Sequence, residues 1–279
     1  MFLSNAHTHS TYCDGINPPR EMLEAARRLG FVSLGYSGHS EHGVQGSPSA
    51  MTHEKQLAYL KEIRELQKET KDIRIWVGLE MDALCTPEVF RHTRENTDYF
   101  IGSTHYVRAE GRSDHAAVDG SVEKLKAYIA DAFCGDGLAM AKRYFDIQTE
   151  FLLREKPAII GHFDLLRKYA AGHQLFDEES QAYRKLALNA LENSFPCGGV
   201  LEVNTGGIAR GYLPLPYPTL ELLCAWREMG GKVTLTSDCH DARNLTCAYG
   251  LSEDLIRKAG FRSIMRLGTG EQLWDEIEL

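Results

Sequence analysis

Short apolar runs spread along this chain each lead to a histidine or a carboxylate. Met1-Phe2-Leu3 precedes His7-Thr8-His9, Val32-Ser33-Leu34-Gly35-Tyr36 precedes His39, and Ile73-Arg74-Ile75-Trp76-Val77 precedes Glu80. Phe100-Ile101-Gly102 precedes His105, Ala158-Ile159-Ile160 precedes His162, and Val233-Thr234-Leu235-Thr236 precedes Asp238-Cys239-His240. Runs this short, rich in Val, Ile and aromatics, read as β-strands. Imidazole and carboxylate are the protein ligands for divalent ions of the zinc, iron and manganese type, and a catalytic site collects them from several segments. The pattern therefore predicts a metal site assembled from strand ends.

With Gly199-Val200-Leu201-Glu202-Val203-Asn204 the runs make about seven strands. Helical stretches separate them. Pro18 to Gly30 opens with proline and stops at glycine, and Met51 to Lys71 places Leu57, Leu60, Ile63 and Leu66 three apart on one side. Further helices are expected over roughly 121–155, 177–194, 217–230 and 252–259. Strands alternating with helices imply a parallel sheet, and every candidate ligand falls at or beyond the C-terminal end of its strand, where barrel active sites lie. An open doubly wound sheet would concentrate its site at one switch point instead. The expectation is an α/β fold of the (β/α)7 TIM-like barrel type, one domain over 1–279.

The 279 residues and 43% hydrophobic content suffice for such a core. Seven Cys without regular spacing and a start lacking a basic, apolar leader point to free thiols in a reducing cytosol. No apolar stretch reaches the roughly 20 residues of a membrane helix. A formal net charge of −8 argues against general nucleic-acid binding. It leaves room for a small anionic substrate, since clustered divalent cations reverse the local field. The oligomeric state is not legible.

His7 and His9, two apart on an extended segment, point the same way and can grip one ion, and Asp238 and His240 repeat the geometry. Asp14, in Tyr12-Cys13-Asp14-Gly15, can reach over the same mouth. Singly, each is better explained as a satisfied core histidine or a buried ion-pair partner. Jointly they would gather costly polar groups at one rim for no purpose. His53, His92, His115 and His173 read as ordinary surface residues, and Cys13 and Cys239 as small packing residues. Cys85 to Arg91 has the Cys-x5-Arg spacing of cysteine phosphatases but a bulky, glycine-free interior, so it is a chance match.

His7-Thr8-His9-Ser10 with Asp14, Gly38-His39-Ser40-Glu41-His42, Gly78-Leu79-Glu80, Ser103-Thr104-His105, Gly161-His162-Phe163 and Ser237-Asp238-Cys239-His240 together resemble the polymerase and histidinol phosphatase (PHP) family. The likeness is to its stand-alone histidinol-phosphate phosphatases and spans residues 7 to 240. It implies a distorted (β/α)7 barrel with three divalent metal ions, zinc, iron or manganese. One ion would sit on His7, His9, Glu80 and Asp238. Glu80 would bridge to a second held by His105 and His162, and Asp14, His39 and His240 would hold the third. The implied reaction is hydrolysis of L-histidinol phosphate in histidine biosynthesis.

Such a cluster suits a phosphomonoester. Two nearby metals share and activate a water and neutralise phosphoryl oxygens, so a bridging hydroxide is the expected nucleophile. Arg210, in Gly206-Gly207-Ile208-Ala209-Arg210-Gly211, is the candidate phosphate fork. His42 is the candidate proton donor to the leaving alkoxide or contact for the substrate's imidazole or amine. A nucleotide or 3′,5′-bisphosphate is the alternative substrate. A proofreading module lacks its polymerase segment here. An amidohydrolase-like barrel would commonly use a bridging Lys where Glu80 stands.

Overall fold

A computed structural model describes residues 3–41, 47, 49–173 and 175–279. Seven parallel strands form one sheet: β1 (Leu3–Asn5), β2 (Phe31–Tyr36), β3 (Arg74–Asp82), β4 (Tyr99–Ser103), β5 (Ile159–Ile160), β6 (Val200–Asn204) and β7 (Val233–Thr236). Their order in the sheet is their order in the chain, and the seven runs legible in the sequence supply all seven. Past the strand ends, a parallel bridge between Thr8 and Cys239 closes the rim. His9 N donates to Cys239 O (2.9 Å) and Cys239 N to His7 O (3.0 Å). The result is the nearly closed barrel expected from the sequence.

Helices cover the outside, and most of the apolar core lies between them and the strands. Helix Pro19–Leu29 starts on proline and ends at Gly30, whose φ of 78° suits a residue without Cβ. Helix His53–Glu69 is capped by Thr52, whose hydroxyl accepts from Lys55 N. Its buried face is Gln56, Tyr59, Leu60, Ile63 and Leu66, and Leu57 is exposed, contrary to expectation. Steps of three fall about 60° short of a full turn each, so Leu57 ends half a turn from Leu66.

Three further differences have local causes. The stretch 121–155 is two helices, Val122–Ala132 and Gly137–Glu155, because Cys134 and Gly135 take positive φ and Asp136 caps the second through Leu138 N and Ala139 N. Helix Pro87–Asn96, absent from the sequence reading, occupies the Cys85-x5-Arg91 segment. There burial drives the Cys85 thiol pKa well up, so it is inert. Finally, Ser263–Leu267 and Trp274–Glu278 pair as an unforeseen antiparallel hairpin.

That hairpin packs against the end of the barrel opposite the candidate ligands. Ser33 Oγ donates to Leu267 O (2.6 Å) and Trp76 Nε1 to Gly268 O (2.8 Å). Leu267 packs into a second apolar cluster with Ala6, Trp76, Tyr99, Ile101 and Ile159. The Tyr99 hydroxyl reaches from β4 to the Ala6 carbonyl beyond β1 (2.6 Å). Gly78 makes room for it, since a Cβ there would stand 2.5 Å from the Tyr99 ring.

Candidate metal centre

The rim brings together all nine residues singled out as ligands. Glu80, near the end of β3, is the hub. Its Oε1 lies 3.0 Å from His162 Nε2 and 3.2 Å from His105 Nε2. Its Oε2 lies 2.9 Å from His39 Nδ1, 3.2 Å from His7 Nε2 and 3.5 Å from His9 Nε2. Asp238 Oδ1 faces His9 Nε2 (3.2 Å) and His7 Nε2 (3.6 Å). Asp14 faces His240 Nε2 (3.3 Å), His9 Nδ1 (3.4 Å) and His39 Nε2 (3.6 Å).

These contacts have the character of a cation site. His7 Nε2, His9 Nε2 and Glu80 Oε2 are buried and make no hydrogen bond among the described residues, although they converge. Donor atoms held about 2.0–2.1 Å from a tetrahedral zinc ion lie about 3.3 Å from one another, close to the separations here. His9, Asp14, His39 and His240 form a second convergent group, and His39, Glu80 and His105 a third. The donor set fits divalent ions of the zinc, iron and manganese type.

Electrostatics point the same way. Burial alone would lower the His7 pKa, but Glu202, Glu80 and Asp238 overcome it and hold the ring at about 10. His39, half-buried, is pushed down by desolvation, but Glu80 and Asp14 outweigh this and raise it to about 9. Against their own burial, neighbouring imidazoles keep Glu80, and Arg210 with His7 keep Asp238, far below the usual carboxylate range. The pocket demands positive charge.

Two carboxylates that the sequence reading missed steer the rings. Glu202, fully buried in β6, accepts four hydrogen bonds. His7 Nδ1 (2.6 Å) and Thr236 Oγ1 (2.7 Å) reach one oxygen, and His162 N (2.7 Å) and Asn204 Nδ2 (3.0 Å) the other. A carboxylate only accepts, so His7 Nδ1 carries a proton toward Glu202, and Nε2 is the nitrogen turned toward Glu80 and Asp238. Asp82 accepts from His105 N (2.8 Å) and lies 3.3 Å from its Nδ1. The one signal for Glu202 was a lone charge between the apolar residues Leu201 and Val203 of a strand.

The Gly206–Gly211 segment is not a loop throughout: Gly206–Ala209 forms a single helical turn with Arg210 at its end. Arg210 Nη2 donates to Asp238 Oδ2 (2.9 Å), and Nη1 lies 3.0 Å from His240 Nδ1. Gly206 is required there, because a Cβ would stand 2.6 Å from Asp238 Oδ2 and 2.7 Å from Arg210 Nη2. Asp238 itself holds φ at 47°, a conformation rare outside glycine that marks constrained sites. His42 lies outside the described residues.

The other histidines are less plain than expected. His53, exposed, pairs with Glu41 (2.8 Å), and His92 is half-buried 3.4 Å from Gln56 Nε2. His115 is half-buried against Tyr106. All seven cysteines are unpaired, as anticipated. A cavity of about 300 Å³ opens over the rim, lined by Asp14, Glu80, His162, Lys168, Arg210 and Asp238 among others. Among the described residues no helix is long and apolar enough to cross a membrane.

Known proteins resemble this chain in sequence and in fold. A histidinol-phosphatase of Lactococcus lactis is 26% identical over 267 residues, covering 92% of this chain and 91% of its own. The structure of an L. lactis histidinol phosphate phosphatase complexed with zinc, L-histidinol and phosphate superposes with a TM-score of 0.68 at 21% identity, covering 95% of this chain and 97% of that one. A Listeria monocytogenes protein provisionally named a histidinol phosphatase gives 0.75 at 19% identity, over 89% of this chain and 99% of its own. Both structures share the fold. The sequence profile described as the PHP domain matches residues 5–206, most of the chain and seven of the nine clustered residues, and the chain therefore belongs to the PHP domain family.

Proposed function

We propose that this chain is a metal-dependent phosphomonoesterase that hydrolyses L-histidinol phosphate to L-histidinol and phosphate. The observation that carries this reading is the Glu80 carboxylate, whose oxygens face two sets of imidazoles at 2.9–3.5 Å. His7, His9, Glu80 and Asp238 would hold one ion, Glu80 with His105 and His162 a second, and Asp14, His39 and His240 a third. The zinc of the L. lactis complex supports that metal, and iron and manganese suit the same donors. Bound ions of this kind supply a water activated at neutral pH and neutralise phosphoryl oxygens.

The chain's own groups do the rest. Arg210 offers guanidinium N–H groups to the phosphoryl oxygens while anchored on Asp238. Glu202 and Asp82 keep His7 and His105 turned for ligation. His42 is the proposed proton donor to the departing alkoxide. The unpaired cysteines support a reducing, cytosolic setting.

Phosphate release over a panel of histidinol phosphate, nucleoside monophosphates, a 3′,5′-bisphosphate and glycerol phosphate tests the proposal. Histidinol phosphate is expected to give the highest kcat/KM, and chelation to abolish turnover. Preference for a nucleotide, or activity undiminished after chelation, would overturn it.

A further inference from the structure

Arg210 is not the sole cation at the mouth. Lys168 lines the same cavity, delivered by the single-turn helix Leu165–Tyr169 that follows His162. Its Nζ donates to the Asp119 carbonyl (2.7 Å), which also accepts from the Tyr169 hydroxyl (3.1 Å). The ammonium lies 4.2 Å from the centre of the Tyr212 ring and 5.1 Å from that of Tyr169. These contacts fix its position without cancelling its charge.

The contrast with Arg210 matters. Arg210 is neutralised by Asp238 at 2.9 Å, whereas Lys168 is half-buried with no carboxylate at ion-pair distance among the described residues. Burial, with Arg210 nearby, presses its pKa down. A cation held at such cost beside proposed metal ligands, braced by a carbonyl and two aromatic faces, is a receptor awaiting an anion.

We propose that Lys168 is a phosphate-binding residue of this site, holding a phosphoryl oxygen of the phosphomonoester substrate and of the product phosphate. The proposal rests on the phosphatase reading above. It assigns a specific task to a side chain that no sequence motif singled out. It also places the phosphoryl group between Lys168 and Arg210, so the histidinol part of the substrate gains nothing from Lys168.

The test uses metal-loaded protein and the variants Lys168→Met, Lys168→Gln and Lys168→Arg. The readouts are metal content, melting temperature, the Kd for inorganic phosphate by calorimetry, the inhibition constant of L-histidinol, and KM and kcat. In Met and Gln, phosphate Kd and KM should rise about tenfold or more, the scale of one charge-assisted hydrogen bond. Metal content, L-histidinol inhibition and kcat should change far less, and Arg should restore most of the phosphate affinity. Phosphate affinity within twofold of the parent in both neutral variants overturns the proposal, as does an equal loss of L-histidinol affinity, which marks general collapse of the mouth. A parent that binds phosphate through Lys168 but hydrolyses no phosphomonoester would sink the phosphatase reading alone, and a parent that binds no phosphate would sink both.

Discussion

Among single residues, Glu202 shows how much of the centre rests on groups that touch no substrate. Four donors converge on its two oxygens, so no neutral side chain reproduces it. In Glu202→Gln an amide N–H2 must face two of those donors, either the His7 and Thr236 pair or the His162 and Asn204 pair. His7 then loses its fixed tautomer or the His162 backbone loses its anchor. Metal affinity is expected to fall about 10- to 100-fold, read by competition with a chromophoric chelator. Unchanged affinity would mean that Glu202 merely fills space. The nine clustered residues were legible because His, Asp and Glu at strand ends are costly unless used. Glu202, Asp82 and Lys168 were not, because each gains its meaning from a partner more than 20 residues away: His7, His105 and Asp119.

Elements were readable where their signals are local. Proline at the start and glycine at the end bracketed helix Pro19–Leu29, and the seven apolar runs became the seven strands. Helix Pro87–Asn96 went unseen although Thr86 caps it, because its short amphipathic stretch has only Phe90 and Thr93 to bury. Closure between β1 and β7 was likewise invisible, since it depends on residues 232 apart. The Asn5 amide donates to His7 O, Thr8 Oγ1 and Ser237 Oγ and accepts from Ser237 N. Asn5→Ala leaves the buried Ser237 N–H without its partner, at about 1–3 kcal/mol, and leaves the His7 carbonyl with Cys239 N alone. A loss of about 1–3 kcal/mol in denaturant unfolding is expected, together with weaker metal retention, because the same seam carries His7, His9 and Asp238. A loss below 0.5 kcal/mol would show that the seam is held elsewhere.

At the scale of the whole molecule the two ends of the barrel are stabilised by opposite means. The closed end is apolar: the terminal hairpin seats Leu267 against Trp76, Tyr99 and Ile159. The rim is a buried knot of carboxylates and imidazoles whose balance depends on what supplies positive charge. Without metal, protons on the rings must serve. His7, held at about 10, and His39, at about 9, both lie above the ordinary 6.5, so their contribution is complete below about pH 6.5 and is lost as pH rises through 9 to 10. The carboxylates Glu80 and Asp238 are shifted downward, so their contribution persists at neutral pH and fails only in strong acid. Chelated protein should therefore melt at steadily lower temperature between pH 6.5 and 9.5. Metal-loaded protein should hold its melting temperature across that range, because a divalent ion displaces the ring protons and cannot be titrated away by base. Parallel melting curves for the two forms would show that the rim histidines do not carry the charge balance of the metal-free fold.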